Sequence, residues 1–276
     1  MGSNDISVLH LVRANNGIEP LICFLTSYSR HPAGVKHDLV FILKGFENNI
    51  IPPEMETLLN QYAHQKIFLT DIGYDIGSYI SAASLVQTKY LCFLNSFSEI
   101  LENYWLEKFY KHLLSTGCGM VSATGTLESH YTDSLRSKKR LSPQYLMGWI
   151  YSLKLKKQFP PFPNPHLRTN GFCISRALFL DATHGYTINN KTDALLFESG
   201  KDGISRQIAS KGLSLIVVGR NGQGYLPNEW AISGTFRQGG QVNLLIADNQ
   251  TRIFIESESS RRAVLSQLAW GEIDNH

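Results

Sequence analysis

Long apolar runs are missing from this sequence. No stretch approaches the roughly 20 consecutive apolar residues that a membrane-crossing helix needs, so no spanning segment is expected. The residues after Met1 are polar, and no secretory leader is expected either. Cysteine is scarce. Cys23, Cys92, Cys118 and Cys173 all sit in apolar surroundings, and none has the short spacing of a metal or redox pair. They read as buried free thiols in a reducing compartment. Charge of one sign is also lacking: the net charge is +3 with 18% charged residues. Such mild charge, without any nucleic-acid-binding motif, argues against an RNA or DNA partner. No Gly-x-Gly-x-x-Gly follows the first strand-like run, which argues against a dinucleotide-dependent oxidoreductase.

What is present is the alternation of an α/β protein. The 276 residues suffice for one large domain with a sizeable core. Short buried strands are predicted at Leu21–Leu25, Asp38–Leu43, Lys66–Leu69, Tyr90–Leu94, Gly119–Ala123, His166–Ile174 and Leu213–Val218. Helices are predicted from Glu54 to about His64, over Ile76–Gln87 and Trp105–Leu114, and near Ser259–Trp270, while residues 127–163 depart from this rhythm. Ser175 is placed to cap a further helix, and Asp248-Asn-Gln-Thr251 reads as a turn. Strand–helix–strand order predicts a mostly parallel central sheet with helices on both faces.

In an open α/β sheet, ligands bind outside the C-terminal ends of the strands. The buried run Tyr90–Leu94 stops on Asn95-Ser96-Phe97-Ser98-Glu99, so Asn95 and Ser96 mark a candidate site. The acidic, glycine-punctuated loop Asp71-Ile-Gly-Tyr-Asp75-Ile-Gly-Ser78 is expected beside it. Asp71, at a strand end, is a candidate ligand. Asp75 is a helix cap, a ligand contact, or both. The helix start at Gly77 and Ser78 offers backbone N–H groups to phosphate. Lys44 ends another strand, as a phosphate ligand or as a solvated turn residue. Tyr28 is a candidate for stacking on a base. His166, Arg168 and Asn170 alternate along a predicted strand and would share one face. Glu198 and Asp202 lie around a predicted helix start, either as dipole partners or as a general base.

The order of these pieces resembles GT-A glycosyltransferases, in particular the bacterial family-two-like enzymes of surface polysaccharide synthesis, such as O-antigen or capsule. The resemblance covers roughly residues 21–218. It implies a Rossmann-like GT-A domain spanning 1–276, with a nucleotide-binding half at about 20–125, an acceptor-side half at about 126–235 and an extension at 236–276. It places Thr26, Ser27 and Tyr28 at the nucleotide base and the Asp71–Asp75 loop at the nucleoside. Asn95-Ser96-Phe97 stands where the family carries its metal-binding Asp-x-Asp, and Glu198 or Asp202 where it carries the base.

Asn95-Ser96-Phe97 contains no carboxylate, whereas hard divalent cations want charged oxygen ligands. Mg²⁺ or Mn²⁺ would have only Asn95, or Glu99 if the strand ran longer. Without an ion, the diphosphate would need Lys44, His166, Arg168 or Lys201, or a helix N-terminus.

The implied activity is transfer of a hexosyl or deoxyhexosyl group, with inversion, from a nucleotide-diphosphate sugar to a hydroxyl of a glycan or lipid-linked acceptor. The alternative is a degenerate GT-A domain that binds glycan or a partner glycosyltransferase. The expected location is the cytoplasm. Arg136–Arg140 with Trp149, Ile150 and Tyr151 would form a patch on the inner face of the plasma membrane, or a merely solvated face. Asp248–Thr251 and the end at Trp270-Gly271 lie outside a minimal GT-A core. They would fold over the site as a lid or pack against further domains of a longer chain.

Overall fold

The computed structural model describes residues 4–136 and 144–271, with side-chain detail at 4–135 and 151–271. The strands are β1 Ile6–Arg13, β2 Asp38–Lys44, β3 Gln65–Leu69, β4 Tyr90–Leu94, β5 Glu99–Ile100 and β6 Cys118–Ser122. They continue with β7 Gly125–Thr126, β8 His166–Leu167, β9 Gly171–Ser175, β10 Ser214–Val218, β11 Gly224–Tyr225 and β12 Ile246–Ala247. The helices are α1 Glu19–Arg30, α2 Pro53–Leu59, α3 Tyr74–Leu85, α4 Trp105–Leu113, α5 His130–Arg136 and α6 Gln144–Gln158. After them come α7 Arg176–Ala182, α8 Lys191–Ser199, α9 Ile204–Ser210, α10 Asn249–Glu256 and α11 Ser259–Trp270.

Eight strands form the main sheet in the order β11-β10-β6-β9-β4-β1-β2-β3. Strands β9 and β11 run against the other six. The mostly parallel, Rossmann-like α/β class expected from the element order is the one observed. Strand residues alternate between the two faces, as the pleat requires. On β1, Leu9 and Leu11 enter a core with Tyr79 of α3, Phe179 of α7, Phe197 of α8 and Ile208 of α9. Ile6, Val8 and Val12 enter the opposite core, with Phe24 of α1, Met55 of α2 and Trp105 and Phe109 of α4. Among the described residues, no helix is long and apolar enough to cross a membrane.

Several predicted elements differ. Leu21–Leu25 is not the first strand. It lies in α1, where Leu21, Phe24 and Leu25 form one buried stripe behind Pro20 in the first turn. The first strand is Ile6–Arg13, whose buried Ser7 and His10 interrupt its apolar run. Thr26, Ser27 and Tyr28 are therefore helical. Ser27 Oγ accepts from the Ile100 N–H, and Tyr28 OH bonds to His37 Nε2.

His166–Ile174 is two strands separated by Arg168-Thr169-Asn170. Glu198 lies at the end of a helix, not the start, because Asn190 and Asp193 form a capping box that opens α8 upstream. Asp248 likewise opens α10 with a capping box instead of sitting in an isolated turn. The α7 cap is as read from the sequence: Ser175 Oγ accepts from the Leu178 N–H. The 136–140 basic cluster, Trp149 and Ile150 fall outside the residues whose side chains are described; Tyr151 is exposed.

Candidate functional site

Three adjacent parallel strands end on polar residues at one edge of the sheet. Arg13 ends β1, Lys44 ends β2, and Asp71 follows β3. They line a cavity of about 310 Å³ together with Tyr74, Asp75 and Asn189. The Arg13 guanidinium donates to both Asp71 oxygens, Nε at 2.8 Å and Nη2 at 2.7 Å, and Asn15 adds a third donor at 3.0 Å. Those hydrogen bonds hold the Asp71 carboxyl below the usual carboxylate range. Gly45 has φ +76°, and a Cβ there would lie 3.1 Å from the Asp71 Cβ, so the backbone of β2 closes in beside the pair.

Lys44 is 2% exposed. Its Nζ lies 3.9 Å from Asp71 Oδ1 and donates to the Tyr74 carbonyl. Burial lowers its pKa, against the opposing pull of Asp75 and Asp71. The helix α3 opens on Gly73 at φ +82° and Tyr74 at φ +52°. Two successive left-handed residues turn the chain sharply, which puts Asp75 in the cavity wall. Asp75 does not cap the helix; Gly73 holds that position without a side-chain bond. Burial raises the Asp75 pKa, opposed by Lys44 and then Arg13. Ser78 is inside α3, where its Oγ donates to the Tyr74 carbonyl, and it lines a neighbouring cavity with Gly73 and Ile188.

A second cavity, of about 190 Å³, opens beyond β6 and β9 and is lined by His166, Arg168, Glu198, Glu128, Phe236 and Arg237 among others. Glu198 Oε2 accepts from the Thr169 N–H at 2.8 Å and from the Thr169 hydroxyl. His166 Nδ1 bonds the Asn164 carbonyl at 2.8 Å, so that nitrogen carries the proton and Nε2 carries the lone pair. Burial lowers the His166 pKa, and Glu198 pulls it the other way. Glu198 also raises the pKa of Asp75, a residue of the first cavity. One carboxylate thus acts electrostatically on both cavities.

Arg168 donates to Asp248 Oδ2 at 3.1 Å, and Asn170 donates to the same oxygen. Asn95 Oδ1 accepts from the Phe97 N–H at 3.1 Å and the Ser98 hydroxyl at 3.0 Å. Ser96 is buried beside His10 and Arg13, and Glu99 pairs with Arg252 at 3.1 Å. The residues at this strand end do not fit a divalent cation: the Asn95 oxygen is committed to its own turn, and Glu99 to an arginine. Among the described residues, no group of three His, Cys, Asp or Glu side chains is placed to hold a metal ion.

The structure thus gathers Lys44, Asp71 and Asp75 in one cavity and His166, Arg168 and Glu198 in the other. Asn170 lines neither cavity and shares the Asp248 Oδ2 acceptor with Arg168. Thr26, Ser27 and Tyr28 line neither cavity, and neither do Lys201 and Asp202, which are exposed. The sequence reading missed Arg13, Asn15, Glu128, Phe236 and Arg237. The signal for Arg13 was an apolar run ending on Arg-Ala-Asn-Asn, with two polar residues inside it. Phe236 and Arg237 arrive from the C-terminal part of the chain, more than a hundred residues from Glu128.

No protein-family model and no curated protein matches this chain. Among solved structures, it is similar to the mannosyltransferase PcManGT from Pyrobaculum calidifontis, determined in complex with GDP-Man and Mn²⁺. The identity is 11% and the TM-score 0.48, over 78% of this chain and 55% of the other. The chain thus spans about half the length of that protein.

Proposed function

We propose that this protein is a glycosyltransferase that moves a sugar from a nucleoside-diphosphate donor to a hydroxyl of a glycan or lipid-linked acceptor, with inversion. The observation that carries this function is the position of Glu198. It lines the second cavity with one oxygen held by Thr169 and the other unbonded among the described residues, as a base for an acceptor hydroxyl requires.

The donor lies over the ends of β1–β3. Asp75, whose side chain makes no hydrogen bond among the described residues, accepts from nucleoside hydroxyl or base N–H groups. Arg13 and Lys44 face the diphosphate, with Asp71 as the counter-ion that holds them there. Their charge stabilises the departing diphosphate. Thr169 fixes one Glu198 oxygen, leaving the other to take the proton of the attacking hydroxyl. The acceptor oxygen bonds to the anomeric carbon as the bond from that carbon to the diphosphate breaks.

Calorimetry with UDP, GDP and dTDP, with CMP as control, tests the donor site. Saturable binding of one diphosphate, weakened about tenfold by Lys44→Met, is the expected result. Binding of none of the diphosphates overturns the proposal.

A second function, a sugar-binding domain without catalysis, draws support from one feature. The strand end that would hold a metal offers Asn95 and Ser96 instead, with the Asn95 oxygen engaged locally. Sugar binding with no product from any nucleotide sugar would favour that function, whereas product formation that Glu198→Gln leaves unchanged would remove Glu198 from catalysis.

A further inference from the structure

We infer that the second cavity is an oxyanion site, built by Arg168 and Arg237, that receives an acidic group carried by the acceptor. The role of that group as part of the acceptor rests on the proposed transferase function; the anion site itself does not.

Both guanidinium groups lie over one aromatic ring. The Arg168 Cζ is 4.3 Å and the Arg237 Cζ 4.8 Å from the centroid of Phe236. Two cations sharing a ring repel each other, and each lowers the other's tolerance for burial. Arg237 is 7% exposed, and its Nε has no hydrogen-bond partner among the described residues. A buried guanidinium N–H without an acceptor is costly and is met at sites that a ligand completes.

Its backbone is strained as well, at φ +49°. The surroundings hold it there: the Arg237 N–H donates to Gln241 Oε1 at 2.9 Å, and its carbonyl accepts from Ser266 Oγ at 2.7 Å. The preceding carbonyl, that of Phe236, accepts from Trp270 Nε1 at 2.8 Å. Strain that several bonds maintain is a mark of a functional position.

The nearby carboxylates do not exhaust these donors. The Asp248 oxygens are occupied: Oδ1 by the Thr251 N–H, Oδ2 by Asn170 and a single Arg168 nitrogen. Glu128 takes one Arg237 nitrogen, at 3.3 Å. Glu198 Oε2 is taken by Thr169. Among the described residues each arginine thus gives a single nitrogen to these carboxylates, and flat guanidinium groups pair with phosphate or carboxylate through two parallel bonds. A neutral sugar ring would offer those nitrogens hydroxyl oxygens but no opposite charge.

The test is calorimetry on the full chain with inorganic phosphate, glucuronate and glucose at fixed ionic strength. The variants are Arg237→Gln, Glu128→Gln and Lys44→Met. Phosphate or glucuronate should bind saturably, at least about tenfold tighter than glucose, and Arg237→Gln should weaken that binding by about tenfold. Glu128→Gln removes a competing carboxylate and should tighten it about threefold. Lys44→Met lowers the charge of the proposed donor site, so the anion binding that survives it is assigned to the second cavity.

Phosphate binding tighter than glucuronate marks a phosphate ester on the acceptor; the reverse order marks a uronic acid. The inference is overturned if neither anion binds, or if glucose binds as well as glucuronate. Anion binding that Lys44→Met abolishes and Arg237→Gln spares also overturns it, since the ion then sits in the first cavity. If circular dichroism shows that Arg237→Gln does not fold, Glu128→Gln decides, and unchanged or weakened phosphate affinity overturns the inference. Nucleoside-diphosphate binding measured on the same variants separates failure of this site from failure of the donor site.

Discussion

The Arg13 guanidinium grips both oxygens of Asp71, at 2.8 and 2.7 Å, across the end of the strand that runs between theirs. The Asp71 charge is thus spent inside the protein. Asp71→Asn should tighten nucleoside-diphosphate binding a few-fold, because the cavity gains net positive charge. Weaker binding, measured by calorimetry, would make Asp71 a direct ligand contact. The pair is partly solvated, so urea unfolding should move by less than about 1 kcal/mol.

Asp75 is the opposite case, a carboxylate with a raised pKa and no hydrogen bond among the described residues. Its folded-state pKa lies above its unfolded one, so its ionised form costs stability at neutral pH. Asp75→Asn should raise stability by up to about 1 kcal/mol and weaken nucleotide binding by about tenfold. Gain of stability with unchanged binding would remove Asp75 from the donor site.

Glu198→Gln keeps an oxygen for the Thr169 donors and loses the proposed base. In a glycosyl-transfer assay kcat should fall by about 10² to 10⁴ with little change in donor KM. A fall confined to KM would assign Glu198 to acceptor binding only.

His10 is buried against Phe24, at 3.6 Å between ring centroids, with neither ring nitrogen bonded among the described residues. Burial pushes its pKa down to about 3 from 6.5. The unfolded chain therefore binds a proton that the folded chain refuses. Its contribution is intact above pH 6.5 and is lost progressively as pH falls toward 3. The loss is about 2 kcal/mol by pH 5. His10→Gln should flatten the acid limb of urea unfolding between pH 6.5 and 4.5 by about that amount. His37 and His166 are shifted the same way, so some slope should remain. An unchanged slope would assign it to those two residues.

Local chemistry made much of this fold legible. Tyr90–Leu94, fully apolar after its first residue, is found as a strand with those bounds, and the Ser259–Trp270 helix likewise. Where the reading failed, two patterns competed. Leu21-Ile-Cys-Phe-Leu25 is apolar enough for a strand, yet Leu21, Phe24 and Leu25 also fit a helical stripe, and Pro20 favours the helix. In Ile6–Arg13, His10 breaks the apolar run because Phe24, fourteen residues away, covers it. The first cavity was half legible, since polar residues at strand ends are a local signal. The second was not, because Arg237 meets Glu128, and Asp248 meets Arg168, only once the chain has returned from the far side of the sheet.

The reversed strand β9 gives the molecule a division of labour. Running backwards between β4 and β6, it presents its beginning where its neighbours present their ends. The chain entering it, His166 to Asn170, therefore reaches the edge that carries the cavities on its way in. As a result the two cavities are written almost wholly in different stretches of sequence, residues 13–75 for one and 126–250 for the other. Substitution can retailor what one pocket accepts while leaving the other intact, and a chimera that exchanges the second stretch should inherit a new acceptor on an old donor.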